Sequence, residues 1–190
     1  MTALILGSTS PRRLELLAQL GVTPVRVAAP DIDEAPLRNE LPRAYALRMA
    51  EAKVRAVPRA ADEVVLAGDT AVVAGRRILG KPVDAADHAV MLRLLSGRRH
   101  HVLSAVAVIA PDGRLRTRLS DTILTWRALT PGEIDAYVAG GEGEGKAGGY
   151  AIQGRAEAWV RFLHGSWSGV VGLPLFETRA LLAASGIALG

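Results

Sequence analysis

Cysteine is absent from the 190 residues, which excludes disulfides and thiol catalysis and is compatible with a cytoplasmic location. Aromatics are scarce at 4%, too few for a single-strand nucleic-acid binder that stacks bases on rings. No apolar run approaches the ~20 residues of a membrane span. No basic segment precedes an apolar one at the N-terminus, so neither a membrane segment nor a signal peptide is expected. The four histidines, His88, His100, His101 and His164, include no His-x-x-x-His pair, which argues against zinc. The phosphate loop G-x-x-x-x-G-K-[ST] is absent too. What remains is 49% hydrophobic and 22% charged, with a formal charge of +4, sized for one domain or one domain with two lobes. Such a charge fits nucleic acid or a small polyanion, and the basic residues are scattered, not massed in one tract, which with the few aromatics weakens the case for a single-strand binder.

The chain is organised around its start, Leu4-Ile-Leu-Gly-Ser-Thr-Ser-Pro-Arg-Arg-Leu-Glu-Leu-Leu-Ala-Gln-Leu-Gly21. This reads as a short apolar strand, a small-residue turn and an amphipathic helix. Ser10 is placed to cap the helix with its hydroxyl, Pro11 suits the first helical position, and Gly21 suits a left-handed end. The amides of Gly7 to Ser10 can converge on an anion at the helix start. Arg12 and Arg13 are unfavourable there for the helix dipole, so an anion is expected to offset them. The local pattern fits a phosphate site and equally an ordinary strand, turn and helix with two solvated arginines.

Val25 and Val27 suggest a strand that Pro30 ends. The acidic loop Asp31-Ile-Asp-Glu34 could help hold a hard cation or be a solvated turn. Residues about 42 to 56 read as a helix, with Leu47, Ala50 and Val54 as its apolar stripe and Lys53 beside it, where a lysine can snorkel. Glu63 to Gly68 is a buried-type strand running into Asp69-Thr70, and a carboxylate at such a strand end is a common place for chemistry in an α/β protein. A hairpin bends at Gly75, and Lys81 follows, in reach of a phosphate. Residues about 85 to 95 form a helix with Ala89, Leu92 and Leu95 inward. His100 and His101 should face opposite ways on an extended chain. Runs 102–110 and 115–129 read as strands joined at Pro111-Asp-Gly113. Thr130-Pro-Gly-Glu133 is a capping box opening a helix to about Ala139. Gly140 to Gly154 has seven glycines in fifteen residues, a loop needing positive φ or close approach. Its Lys146 offers a cation and its Gln153 a bidentate amide. Residues 158–163 read as a strand and about 176–185 as a closing helix.

Five of these stretches, collinear over almost the whole chain, carry a resemblance: Ser8-Thr-Ser-Pro-Arg-Arg-Leu-Glu-Leu-Leu17, Asp69-Thr70, Leu79-Gly-Lys-Pro82, Lys146-Ala-Gly-Gly-Tyr-Ala-Ile-Gln-Gly154 and Val171-Gly-Leu-Pro174. Together they resemble the Maf family. The resemblance implies a nucleoside triphosphate pyrophosphatase that cleaves between the α- and β-phosphates with a divalent cation, magnesium or manganese. It implies an elongated α/β fold, a mixed sheet with flanking helices and two lobes around a central cleft, similar to the inosine triphosphatase fold, and commonly a homodimer. Arg12, Thr70 and Gln153 match the branch acting on dTTP and UTP, where the 7-methyl-GTP branch tends to carry Trp, Gln and Glu. Carried over onto this chain, Asp69 is the general base or a metal ligand, and Glu34 is the second carboxylate by match to the family's acidic-loop position. Ser8, Ser10, Arg13, Lys53 and Lys81 hold phosphates. Gln153 can donate to one carbonyl of the base and accept from its ring N–H, a pattern shared by uracil and thymine.

There are departures from the family pattern. Gly7 and Gly68 stand where Ala is usual, and Trp167 where Tyr is usual. Glu142-Gly-Glu-Gly145 is glycine-richer than the Glu-Pro-Leu-Asp type, from which a looser loop is expected. The competing readings are a 7-methyl-GTP-type pyrophosphatase of the same family and a non-catalytic nucleotide-binding regulator of cell division. A nucleic-acid binder is the weakest reading.

Overall fold

A seven-stranded mixed sheet draws its strands from Leu4 to His164. The computed structural model describes residues 2–190. β1 (Leu4–Leu6) leads to α1 (Pro11–Ala18), then β2 (Arg26–Val27), α2 (Pro42–Ala56), and the hairpin β3 (Val64–Ala74) and β4 (Arg77–Leu79). After α3 (Ala85–Leu95) come the long hairpin β5 (Arg99–Ile109) and β6 (Leu115–Trp126), and α4 (Pro131–Ala139). Two 3-10 turns, Ala147–Gly149 and Arg155–Trp159, precede β7 (Val160–His164), α5 (Trp167–Val171) and α6 (Leu175–Ala183). The spatial order is β2-β1-β3-β5-β6-β7, with β4 beside β3. β1 runs parallel to β2 and β3, and every other pair is antiparallel. This is the α/β class expected, a mixed sheet with flanking helices.

Three apolar clusters hold the layers together. Leu6, Leu17, Leu66 and Leu182 join α1 and α6 to one face. Ile5, Ala50, Val65 and Ala105 join α2 to the other. Leu92, Trp126, Tyr137 and Trp159 pack α3 and α4 at the far end. Local signals explain most boundaries. Asp84 caps α3 by accepting from the Asp87 N–H at 2.7 Å, and Ala89, Leu92 and Leu95 are buried as their spacing requires. Thr130 and Glu133 form the capping box of α4.

Other boundaries move for long-range reasons. β6 stops at Trp126, short of Leu129, because the Arg127 N–H turns to the Trp159 carbonyl and the Leu129 N–H to the Ser96 hydroxyl. β7 starts at Val160, since residues 155–159 coil to bury Ala156 and Trp159. β3 does not end at Gly68 but continues through Asp69 to Ala74, because β5 pairs with it along Val65–Val73.

Candidate active site

One edge of β3 is only partly covered. β1 pairs with Val64–Leu66 and β4 with Val72–Ala74, while β5 takes the other edge. Between β1 and β4, residues 67–71 have no strand on that edge, and Asp69, Thr70 and Ala71 line a cleft of about 800 Å³. Side chains alternate along a strand, so Asp69 shares the α2 face with Val65, Ala67, Ala71 and Val73. It is the charged member of that row and only 7% exposed.

The partner of Asp69 comes from α2. The buried residues of that helix are Ala46, Met49, Ala50, Lys53 and Val54, so Ala50 and Val54 face inward as their spacing suggested, while Lys53 stands among them, not beside them. It too is 7% exposed. Its Nζ donates to Asp69 Oδ1 at 2.6 Å and meets Glu34 Oε1 at 2.8 Å. Burial pushes the Glu34 carboxyl up, but the hydrogen bond and charge of Lys53, with Lys81 and Arg13, outweigh it and hold the group below its ordinary value. Of the acidic loop, only Glu34 lines the cleft; Asp33 caps the Ala35 N–H. Glu34 and Asp69 thus each place a carboxylate oxygen on the Lys53 ammonium, and no third His, Asp or Glu joins them as a metal-holding group among the described residues. That donor set suits magnesium or manganese, which take one or two carboxylates and complete their shell with water and substrate phosphates.

The β1–α1 turn differs in detail from the expectation. Ser10 makes no side-chain cap. Instead the Ser8 hydroxyl accepts from the Ser10 N–H at 3.2 Å and from an Arg13 guanidinium N–H at 3.1 Å. The Gly7 N–H bonds to the Leu66 carbonyl, so the amides still open to an anion are those of Ser8 and Thr9 and of the helix start. Arg13 also donates from Nε to the Gly172 carbonyl at 2.8 Å. Gly172 has a φ of +147°, a conformation open to glycine, so the Val171-Gly-Leu-Pro174 stretch serves to present that carbonyl. Burial lowers the Arg13 pKa, opposed by Asp69; it remains a cation, as arginine does in proteins. Thr70 lies on the other face of β3, with its hydroxyl 3.5 Å from the same Gly172 carbonyl.

Ser8, Ser10, Arg12, Arg13, Glu34, Lys53, Asp69, Thr70, Lys81 and Gln153 all line this one cleft. The side chains of Arg12, Lys81 and Gln153 make no hydrogen bond within the chain among the described residues. Lys146 also lines the cleft, but its ammonium is turned onto its own loop, donating to the Glu142 carbonyl at 2.6 Å. Tyr45 and Tyr150 line it as well, and neither was singled out from sequence as a site residue. Tyr45 donates to the Glu34 carbonyl at 3.0 Å, and burial beside Asp69 and Glu34 raises its pKa to about 12. A mixed wall of five cations, two carboxylates, hydroxyls and an amide fits a polyanion carrying a polar ring.

A family model described as Maf-like protein matches residues 3–185. The chain belongs to the Maf family. It is 67% identical to a dTTP/UTP pyrophosphatase of Sphingopyxis alaskensis, with both chains covered in full. It is 60% identical to a dTTP/UTP pyrophosphatase of Novosphingobium aromaticivorans, over 97% of this chain and 92% of the relative. Among solved structures, a nucleoside-triphosphatase / dITP/XTP pyrophosphatase of Mycobacterium abscessus is 19% identical over 65% of this chain and 74% of its own, with a TM-score of 0.42. Among the described residues no helix is long and apolar enough to cross a membrane.

Proposed function

We propose that this chain is a nucleoside triphosphate pyrophosphatase that splits dTTP and UTP between the α- and β-phosphates, releasing the monophosphate and pyrophosphate. The observation that carries this is the shared cleft, in which the buried Asp69–Lys53 pair and four further cations meet an unbonded amide, Gln153. The names of the relatives agree with it.

A triphosphate brings several negative charges, and breaking the anhydride adds charge to the leaving group, so fixed cations lower the barrier. Arg13 is already braced by Ser8 and Gly172, so its guanidinium meets phosphate oxygens without first being ordered. Lys81 and Arg12 are free to close on the chain of phosphates. Lys53 fixes Asp69 through Oδ1, which leaves Oδ2 to take a proton from the attacking water. Glu34 and Asp69 would hold a divalent cation, whose chemistry is to neutralise phosphate charge and polarise bound water. Gln153 reads the base edge. A single methyl is worth about 1–3 kcal/mol in a pocket, and the edge pattern is common to uracil and thymine, so both are accepted.

Pyrophosphate release from dTTP, UTP, CTP, GTP and 7-methyl-GTP, with magnesium or manganese, tests the reading. Release from dTTP and UTP above the others is the expected result. Preference for 7-methyl-GTP would keep the chemistry and overturn the roles of Arg12, Thr70 and Gln153. Nucleotide binding without release from any of the five would overturn the enzyme.

A further inference from the structure

We propose that His88, on α3 and outside the cleft, is the positioning residue for the loop that presents Gln153. This rests on the pyrimidine nucleotide reading above and deepens it. His88 is 2% exposed and its Nε2 lies 2.6 Å from the Gly149 carbonyl oxygen. A carbonyl only accepts, so Nε2 carries the proton and donates. Tyr150 follows Gly149 directly, and Gln153 is three residues further on.

The loop is cut to admit this ring. A Cβ on Gly143 would stand 2.5 Å from His88 Nε2 and 2.1 Å from the Gly149 oxygen, and one on Gly149 would stand 2.6 Å from His88 Cδ2. Gly149 also has a φ of +70°. Two glycines of this glycine-rich stretch are therefore clearance for His88, which a flexible linker would not need. The same segment is tied at its other side, where the Gly148 N–H donates to the carbonyl of Gly80, next to Lys81. The His88 bond thus sets the distance from a phosphate-side lysine to the base-reading amide. Nothing in that geometry touches Asp69 or Lys53, so the effect belongs to binding and discrimination.

The test uses the full chain and three variants. His88→Leu fills the space without a donor, His88→Asn keeps an amide that is too short, and His88→Gln restores an N–H at similar reach. Loss of one buried hydrogen bond should raise KM for dTTP and UTP about tenfold in the Leu and Asn variants and narrow their preference over CTP, with kcat changed by less than about threefold. Inhibition by inorganic pyrophosphate should not move, and His88→Gln should return KM to within about threefold of the parent. Hydrogen exchange of the segment 147–155, measured without substrate, should quicken in His88→Leu and His88→Asn and recover in His88→Gln. If His88→Leu does not fold, His88→Asn against His88→Gln carries the comparison. Unchanged KM and discrimination in a variant of lowered melting temperature would make His88 a packing residue only and overturn the proposal. So would unchanged exchange. An inactive parent protein would instead overturn the pyrophosphatase reading, and the exchange experiment would still decide the role of His88.

Discussion

Along β3, α2 and the start of α1, the cleft is lined by groups already bonded to one another: Asp69 to Lys53, Lys53 to Glu34, and Arg13 to Ser8 and Gly172. Along the loop 145–153 the pattern is reversed. Gln153 is exposed and carries no bond, and the fixing contacts lie behind it. The Tyr137 hydroxyl accepts from the Ala151 N–H at 3.0 Å and donates to Glu142, which also accepts from the Arg155 N–H. The first wall is preorganised by its own functional groups, so substituting one disturbs charge and geometry together. The second separates the group that reads from the groups that hold, so its selectivity can change while its scaffold stays.

The sharpest way to break this contrast is Asp69→Asn. An amide can still accept from Lys53, so the fold is kept, but the proton acceptor is gone. Turnover should fall roughly a thousandfold, followed by pyrophosphate release with circular dichroism as the check on folding. Near wild-type turnover would remove Asp69 from the chemistry. Arg13→Lys comes next. A lysine has no planar fork to reach Ser8, Gly172 and a phosphate at once, so activity on every nucleotide and inhibition by pyrophosphate should weaken together, on the order of tenfold to a hundredfold. Loss of nucleotide turnover with pyrophosphate inhibition intact would place Arg13 away from the phosphates.

Gln153→Glu tests the second wall alone. A carboxylate cannot donate to the base carbonyl, so dTTP and UTP turnover should drop about tenfold while pyrophosphate inhibition stays. Equal loss of both would make Gln153 part of the scaffold.

What the sequence revealed divides along the same line. Those cleft residues were legible that stand in short collinear motifs whose chemistry is local: Ser8 to Arg13 at a helix start, Asp69 on an apolar strand, Gln153 in a loop. α2 and α3 have the bounds that their spacing predicted. What stayed hidden was long-range. No local rule shows that β5 would carry β3 past Asp69, or that Lys53 would meet that carboxylate from within the apolar stripe. Ser10 looked like the cap, yet Ser8 organises the turn because Arg13 folds back onto it. Tyr137, Glu142 and His88 read as ordinary helix and loop residues, since their partners lie in a separate segment of the chain.

The smallest effect on activity at neutral pH, and the most selective for the second wall, comes from His100. This ring is 1% exposed, lies 2.9 Å from the Tyr150 hydroxyl through Nε2 and stacks edge-on to Trp126 and Tyr150. Burial, with His101 adding to it, lowers its pKa from 6.5 to about 4. In that window the unfolded chain binds a proton that the folded protein refuses, so stability rises with pH. The contribution is complete above 6.5 and is lost progressively as pH falls to about 4, by as much as about 3 kcal/mol. The first wall follows at lower pH, because Glu34 is held below 4.5 and loses its contribution only there. Acid should therefore loosen the Tyr150 side before the Lys53 side. Denaturant unfolding at pH 7, 6 and 5 checks this. His100→Phe should be less stable at pH 7, having lost the bond to Tyr150, yet its stability should fall less steeply between pH 7 and 5. Equal slopes in the two proteins would mean that another group carries the acid response.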